Sequence, residues 1–515
     1  MSKARRWWVL LTVSAGLLLI SVDMTVLYTA LPTLTGDLHA DASQKLWIIN
    51  AYPLVSAGLL LGTGTLGDRV GHKRLFLTGL VIFGAASTMA AFAPSPGMLI
   101  AARAFLAVGA ATMMPSTLAL IRITFEDERE RGVAIGIWGT TSVVGTALGP
   151  VLGGFLLEHF WWGSVFLVNV PVVLLALVAA VFLAPGGSGR ADRPWDPVAS
   201  VYVMLGLVGL VYAIKETTRP DPAPLHIVGA LLVSFLGFRA FLRRQRTQPY
   251  PLIDFALFRN RPLLVGVLGA GLAMFATAGI QLVLAQRLQL VIGHTPLSAG
   301  LLVAACALGA LVAGVVVGGL VHRVSVRTLI GGGLATGALG ILLTLLLTPS
   351  AVPLLNSAQS SGWVVPGLIL AGAGLGTTMT AASAAIIGGA PPHRAGMASS
   401  VEEVSYELGS LTGVAVLGSV LTAVYTGTVT LPAGSPDAAA DSLDEARATA
   451  DHLPAEQGRP LLDAATSAFD NGYNTTLVIA TALLAAGSLF TYRYLGRAAS
   501  SANTSTARSS SAPVL

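Results

Sequence analysis

Fourteen runs of about twenty predominantly apolar residues divide this chain, and they limit its fold more than any other property. A segment of that length and composition spans the roughly 30 Å hydrocarbon layer of a membrane as a helix, because only a helix bonds every backbone N–H and C=O within itself there. The runs cover about 8–31, 46–66, 75–93, 97–121, 132–157, 163–184, 197–214, 226–242, 262–291, 298–321, 328–347, 362–388, 396–427 and 475–496. Of the 515 residues, 54% are apolar and 11% charged. A soluble chain carries about a quarter charged residues. The expected class is an all-α integral membrane protein.

The first run follows Lys3, Arg5 and Arg6. Its length, its Asp23 and the lack of a small-residue cleavage site make it an uncleaved span rather than a secretory signal. Orientation follows from the basic residues. With the N-terminus inside, 23 Lys/Arg fall on the cytoplasmic side and 6 on the outer connections, Lys45, Lys215, Arg219, Arg287 at the end of the ninth run, Arg447 and Arg459, while Arg103 lies within a span. Both termini are therefore expected in the cytoplasm. This dispersal explains the high isoelectric point without a nucleic-acid partner. The single Cys306 excludes a disulfide framework and a cysteine metal site, and the eight His are scattered. No metal, cofactor or reactive constellation is expected, so an enzyme is disfavoured. No phosphate-binding loop occurs, which argues against ATP as energy source.

The runs group as six, two and six, the arrangement of a transporter built from repeats. Residues 1–184 form one expected six-helix bundle. Residues 185–261 hold a Gly-rich linker, two extra spans and a basic amphipathic stretch, RRQRTQPYPLIDFALFRNR, at the membrane surface. Residues 262–496 form the second bundle, whose acidic loop 428–474 reads as a helical hairpin broken at Pro454. The Ser/Ala/Thr-rich tail, 497–515, is expected to be disordered.

Four acids interrupt the apolar runs: Asp23, Glu402, Glu403 and Glu407. A carboxylate in hydrocarbon is costly enough to be read first as a proton relay or cation site. Asp23 lies roughly 22 Å along its span at about 1.5 Å per residue. Glu407 falls near mid-depth, with Glu402 and Glu403 nearer the cytoplasm. Glu403 and Glu407 share a helix face, whereas Glu402 and Glu407 stand about 140° apart. The structural alternative for Asp23 and Glu407 is a paired acid held by backbone donors or by Arg103, itself in need of a partner. Candidates for an adaptable substrate cavity are Trp47, Tyr52, Trp138, Phe275 and Tyr406, with Met113, Met114, Met274 and Met379, and the polar Asn50. Each has a packing or lipid-facing alternative.

Two strings carry further information. GTLGDRVGHKR joins the second and third spans, with Gly64, Asp68, Arg69, Gly71, Lys73 and Arg74 placed where a tight turn could latch one conformation. GTALGPVLGG in the fifth run sets Gly145, Gly149, Pro150, Gly153 and Gly154 on successive turns, allowing close helix approach. On these strings, together with SVDMTVLYTALP, LWIINAYPLVSAGLL and SSVEEVSYELGS, the chain resembles the major facilitator superfamily. More narrowly, it resembles the fourteen-span drug:proton antiporters of the QacA/SmvA/LfrA type. The resemblance implies two six-helix bundles plus two extra central helices in a bacterial cytoplasmic membrane, as a monomer. It also implies export of lipophilic cations, such as quaternary ammonium antiseptics and dyes, in exchange for protons. An exporter of an endogenous amino acid, peptide or siderophore is the alternative. Related exporters carry an acid where this chain has Asn50, and some carry one where it has Ala310. Coupling therefore falls on Asp23 and the cluster around Glu407.

Overall fold

The computed structural model describes residues 2–186, 196–217, 223–248, 255–321, 323–348, 364–390, 395–432 and 435–509. The linker 187–195, segment 249–254 and the side chain of Asp68 lie outside the described residues. The helices are α1 (Lys3–Asp37), α2 (Ala42–Val70), α3 (His72–Ala91), α4 (Pro96–Thr124), α5 (Glu128–His159), α6 (Ser164–Leu167), α7 (Asn169–Leu183), α8 (Pro197–Glu216) and α9 (Pro224–Thr247). They continue with α10 (Arg261–Gln286), α11 (Pro296–Leu320), α12 (Val326–Leu346), α13 (Val365–Gly388), α14 (Ala395–Thr428), α15 (Leu443–Asp451) and α16 (Ala455–Ser509). Among the described residues, each of the fourteen apolar runs falls mainly on one of these helices, the sixth on α6 and α7 together and the ninth ending in a π-helical turn, Arg287–Val291. Among the described residues, 12 helices are long and apolar enough to cross a membrane. The two remaining runs lie on α2 and α5, continuous helices of 29 and 32 residues.

Local sequence sets the helix starts. Asp41 and Gln44 form a reciprocal cap at α2, with bonds of 2.7 and 3.0 Å. Ser95, Asp127, Asn260, Thr295, Ser325 and Ser442 each accept a backbone N–H in the first turn of the helix they precede. Gly71, between α2 and α3, has φ 95°, a conformation that a side chain would strain. Lys73, just beyond, donates to Val181 O (2.8 Å) and Ala184 O (2.9 Å), capping α7. The basic end of this turn thus ties α3 to α7 within one bundle, while Arg69 and Arg74 are exposed.

Two apolar cores result. One gathers α1–α7 around Leu27, Leu31, Phe76, Phe83 and Phe166. The other gathers α10–α16 around Ile330, Leu375, Leu417 and Tyr473. Helices α8 and α9 pack on each other, clipped by Arg244 Nε to Asp196 (2.7 Å) at one end. The pair meets the rest through α8, where Leu207 and Val211 join Leu54 and Ala57 of α2 with Leu411 and Ala415 of α14. Of the basic stretch after α9, Leu257 is buried against Leu263, Ile386 and Ala398. That residue docks into the second bundle.

Three details differ from the sequence expectation. Arg287, assigned to an outer loop, is 4% exposed and pairs with Asp470 at 2.7 Å, stacked over Tyr473. A buried Arg needs such a partner, and Asp470 is 183 residues distant. The second arm of the 428–474 hairpin is not a separate unit: α16 runs unbroken from Ala455 into the last apolar run. It also continues to Ser509, into the tail read as disordered, since extending a packed helix adds one backbone bond per residue ordered.

Candidate functional site

The bundles meet along two seams, α2 against α14 and α5 against α11. We call the membrane face at which α1 begins the near face and the one at which it turns into α2 the far face. The glycine string of α5 serves two neighbours. A Cβ on Gly145 would stand 2.7 Å from Ser21 Cβ, on Gly149 2.0 Å from Thr25 Oγ1, and on Gly153 2.7 Å from Val26 Cγ2, so these three seat α1. Gly154 instead faces α11, where a Cβ would lie 2.3 Å from Leu297 Cα, and the Pro150 carbonyl abuts Gly300. Asp23, two residues from both Ser21 and Thr25, lies on the other face of α1, toward α4 and α7.

Asp23 is fully buried, and both its oxygens are occupied. Arg103 Nη1 of α4 donates to Oδ2 at 2.5 Å, and Asn169 Nδ2 of α7 donates to Oδ1 at 3.1 Å. Asn169 also donates to Ser87 Oγ of α3 at 3.3 Å. Arg103 is 2% exposed, reaches Ile48 O with Nε at 3.4 Å, and lies 4.8 Å over the Tyr52 ring. One acid and one base thus tie together α1, α2, α4 and α7. A buried charge pair persists only when its spare donors and acceptors are satisfied, and here they are.

Glu407 of α14 is in a different state. It is 4% exposed, and its Oε2 has no hydrogen-bond partner. It lies within electrostatic reach of Arg103 and Tyr52 from the other bundle. Beside it Tyr28 of α1 lies close to Ser410 of α14, across the boundary between the bundles. Glu402 accepts from Tyr406 OH at 2.7 Å and from Ser383. Glu403 is partly buried, in reach of both other glutamates. The acids are therefore distinct: Asp23 is saturated, Glu402 is partnered, and Glu407 holds an oxygen free.

The remaining expected residues scatter. Asn50 is fully buried in the α2–α14 seam and Trp47 lies against the α8 contact. Phe275 packs beside the second core, as does Met379. Trp138 bonds Thr117 Oγ1 at 3.0 Å between α4 and α5. Met113 is fully buried against Gly79 in the first core, and Met114 packs on the same core. Gly64 sits across from Ser400. Asn169, Ser87, Tyr28 and Ser410 were not anticipated. Asn169 had a usable signal: it is a lone amide inside VFLVNVPVVLLALVAA, where an intramembrane polar side chain faces the interior. Among the described residues no group of three His, Cys, Asp or Glu is placed to hold a metal ion.

Comparison with known proteins agrees with this architecture. The family model described as Major Facilitator Superfamily matches residues 13–414. The chain is 39% identical to the multidrug efflux pump LfrA of Mycolicibacterium smegmatis, over 94% of this chain and 95% of that one. It is 37% identical to the methyl viologen resistance protein SmvA of Salmonella typhimurium, over 93% and 96%. In structure it resembles a bacterial homologue of the human lysosomal transporter Spinster, with TM-score 0.66 and 18% identity over 96% of this chain and 99% of that one. With its two bundles, its seams and relatives of this kind, the chain belongs to the Major Facilitator Superfamily, a family of membrane transporters.

Proposed function

We propose that the chain exports lipophilic cations, quaternary ammonium compounds and dyes among them, in exchange for protons. It sits in a bacterial cytoplasmic membrane with both termini inside. The near face is then cytoplasmic and the far face external. One observation supports this most directly: of the acids within the apolar helices, Glu407 faces the opposite bundle with a buried oxygen that has no partner. Ionised, that carboxylate needs a counter-ion, and a cation arriving between the bundles supplies it. The Tyr52 ring beside it offers a face for the apolar part of the same cation. A proton entering from outside neutralises Glu407 and removes the attraction, so cation and proton compete for one group. Asp23, already saturated by Arg103 and Asn169, anchors Arg103 rather than taking part in the exchange. The relative named for methyl viologen resistance supports the cation class, since that compound carries quaternary nitrogens.

The test is proton release on adding ethidium to purified protein, paired with ethidium accumulation in energised inverted vesicles with and without an uncoupler. Wild type should release protons and show uncoupler-sensitive accumulation. Glu407→Gln should do neither while still reaching the membrane. Unchanged proton release from Glu407→Gln refutes the assignment.

A further inference from the structure

The near-face end of the second bundle carries arginines for which the chain supplies no carboxylate. No Asp or Glu occurs between residues 255 and 401, or from 471 to 515. The next acids, Glu402 and Glu403, belong to the interior of α14. Elsewhere on this face several bases are spent within the protein: Arg6 pairs with Glu130 at 2.8 Å, Arg244 pairs with Asp196, and Lys73 caps α7.

Three of the uncompensated arginines surround the last membrane turn of α16. That helix lies in the groove between α10 and α12: a Cβ on Gly487 would stand 2.5 Å from Leu272 Cδ1 and 3.4 Å from Leu334 Cδ1. Ser488 Oγ donates to Gly331 O at 2.7 Å. Tyr492 follows on the α12 side, where a Cβ on Gly331 would meet its ring at 2.7 Å, and the Arg327 guanidinium lies 5.5 Å from the ring centre. Tyr494, about 200° further round the helix, faces the start of α10. Arg261 stands 5.3 Å from its ring centre, and Phe490 stacks on the same ring at 5.3 Å. Arg493 falls between the two rings and is exposed, as are Leu489 and Phe490 one turn before it. An apolar strip of α16 thus ends in three cations.

Tyrosine and arginine are common where a helix leaves a membrane. These are set apart in two ways. Arg261 opens α10 and Arg327 is the second residue of α12, so two cations stand at helix N-termini, where the macrodipole disfavours them. Ring stacking also occupies the face of a guanidinium and leaves the N–H groups of its edge open. Among the described residues Arg261, Arg327 and Arg493 make no hydrogen bond or ion pair. Planar forks held in place with open edges match the oxygens of a phosphate.

We propose that Arg261, Arg327 and Arg493, with Tyr492 and Tyr494, bind the headgroup of an anionic phospholipid in the leaflet at the near face. The phosphate lies on Arg493 and a flanking arginine, and the acyl chains run along Leu489 and Phe490. That exposed apolar strip favours a lipid over a soluble anion. The site is independent of the cargo and of proton exchange.

The experiment titrates full-length protein in neutral detergent with phosphatidylglycerol, cardiolipin or phosphatidylcholine and counts bound lipid by native mass spectrometry. Both anionic lipids should bind about tenfold more tightly than phosphatidylcholine. The triple variant Arg261→Gln, Arg327→Gln, Arg493→Gln should weaken anionic-lipid binding about tenfold. The control triple Arg239→Gln, Arg243→Gln, Arg246→Gln removes as many exposed arginines from the near end of α9 and should leave it within about twofold. All six are exposed, so no core contact is lost. Equal losses in the two triples would mean attraction to net charge rather than a site, and overturn the proposal. Unchanged binding in the first triple, or equal binding of phosphatidylcholine, overturns it too. Millimolar inorganic phosphate should not displace the lipid; displacement would make a soluble anion the ligand and refute the lipid site.

Discussion

If Asp23 and Arg103 form an anchor rather than the exchange site, removing either alone should be far worse than removing both. The two side chains are 0% and 2% exposed, so neither charge can turn to water when its partner is lost. Breaking a buried pair costs about 3–5 kcal/mol, whereas replacing both members by apolar groups of similar volume is often neutral or stabilising by about 1–4 kcal/mol. Asp23→Leu leaves Arg103 with the Ile48 carbonyl and the Tyr52 ring; Arg103→Met leaves Asp23 with Asn169 alone. At roughly 2 °C per kcal/mol for a large domain, each single variant should lose about 6–10 °C in thermal unfolding of the detergent-solubilised protein. The double variant should recover at least half of that loss. It should also still release protons on ethidium addition, because Glu407 is untouched. A double variant as unstable as the sum of the singles would refute the anchor. Recovered stability with no proton release would return Asp23 to the exchange.

Other outcomes follow from particular contacts. Gly149→Ala places a methyl 2.0 Å from Thr25 Oγ1, so α1 must shift. Overpacking of this kind costs about 1–3 kcal/mol, and Gly97→Ala, which meets nothing within 4 Å, is the control in the same unfolding assay. Gly71→Ala forces a side chain to φ 95° and should cost about 1–2 kcal/mol, measured the same way. Lys45→Asp and Asp444→Lys should each loosen α15 and speed proteolysis of the far-face hairpin, and the double exchange should restore protection. The gain is small, at most about 1 kcal/mol, because the pair is partly exposed. Tyr406→Phe removes the hydroxyl donor to Glu402 and should lower stability by about 1–3 kcal/mol in thermal unfolding.

Much of the fold was legible because the governing rule is local. A run of twenty apolar residues in hydrocarbon has one backbone solution, and caps such as Asp41 and Thr295 mark where each begins. The glycine string of α5 signalled close packing before its neighbours were known. What it could not reveal is that Gly145, Gly149 and Gly153 serve α1 while Gly154 serves α11, since both partners lie far along the chain. The same cause hides other packing: nothing near Met113 in the chain announces that it faces Gly79, or near Arg287 that it pairs with Asp470.

By itself the sequence determined that this chain crosses a membrane many times and carries acids where hydrocarbon should be. Through strings such as GTLGDRVGHKR and GTALGPVLGG it also pointed, by resemblance, to one class of transporter. It could not rank those acids. Asp23 and Glu407 are equally unwelcome in an apolar run. Only tertiary structure gives one of them Arg103, from 80 residues away, and Asn169, from 146, and leaves the other with an open oxygen facing the opposite bundle. The stability of a buried charge is set by the groups that surround it, and those are assembled by packing rather than by neighbours in the chain.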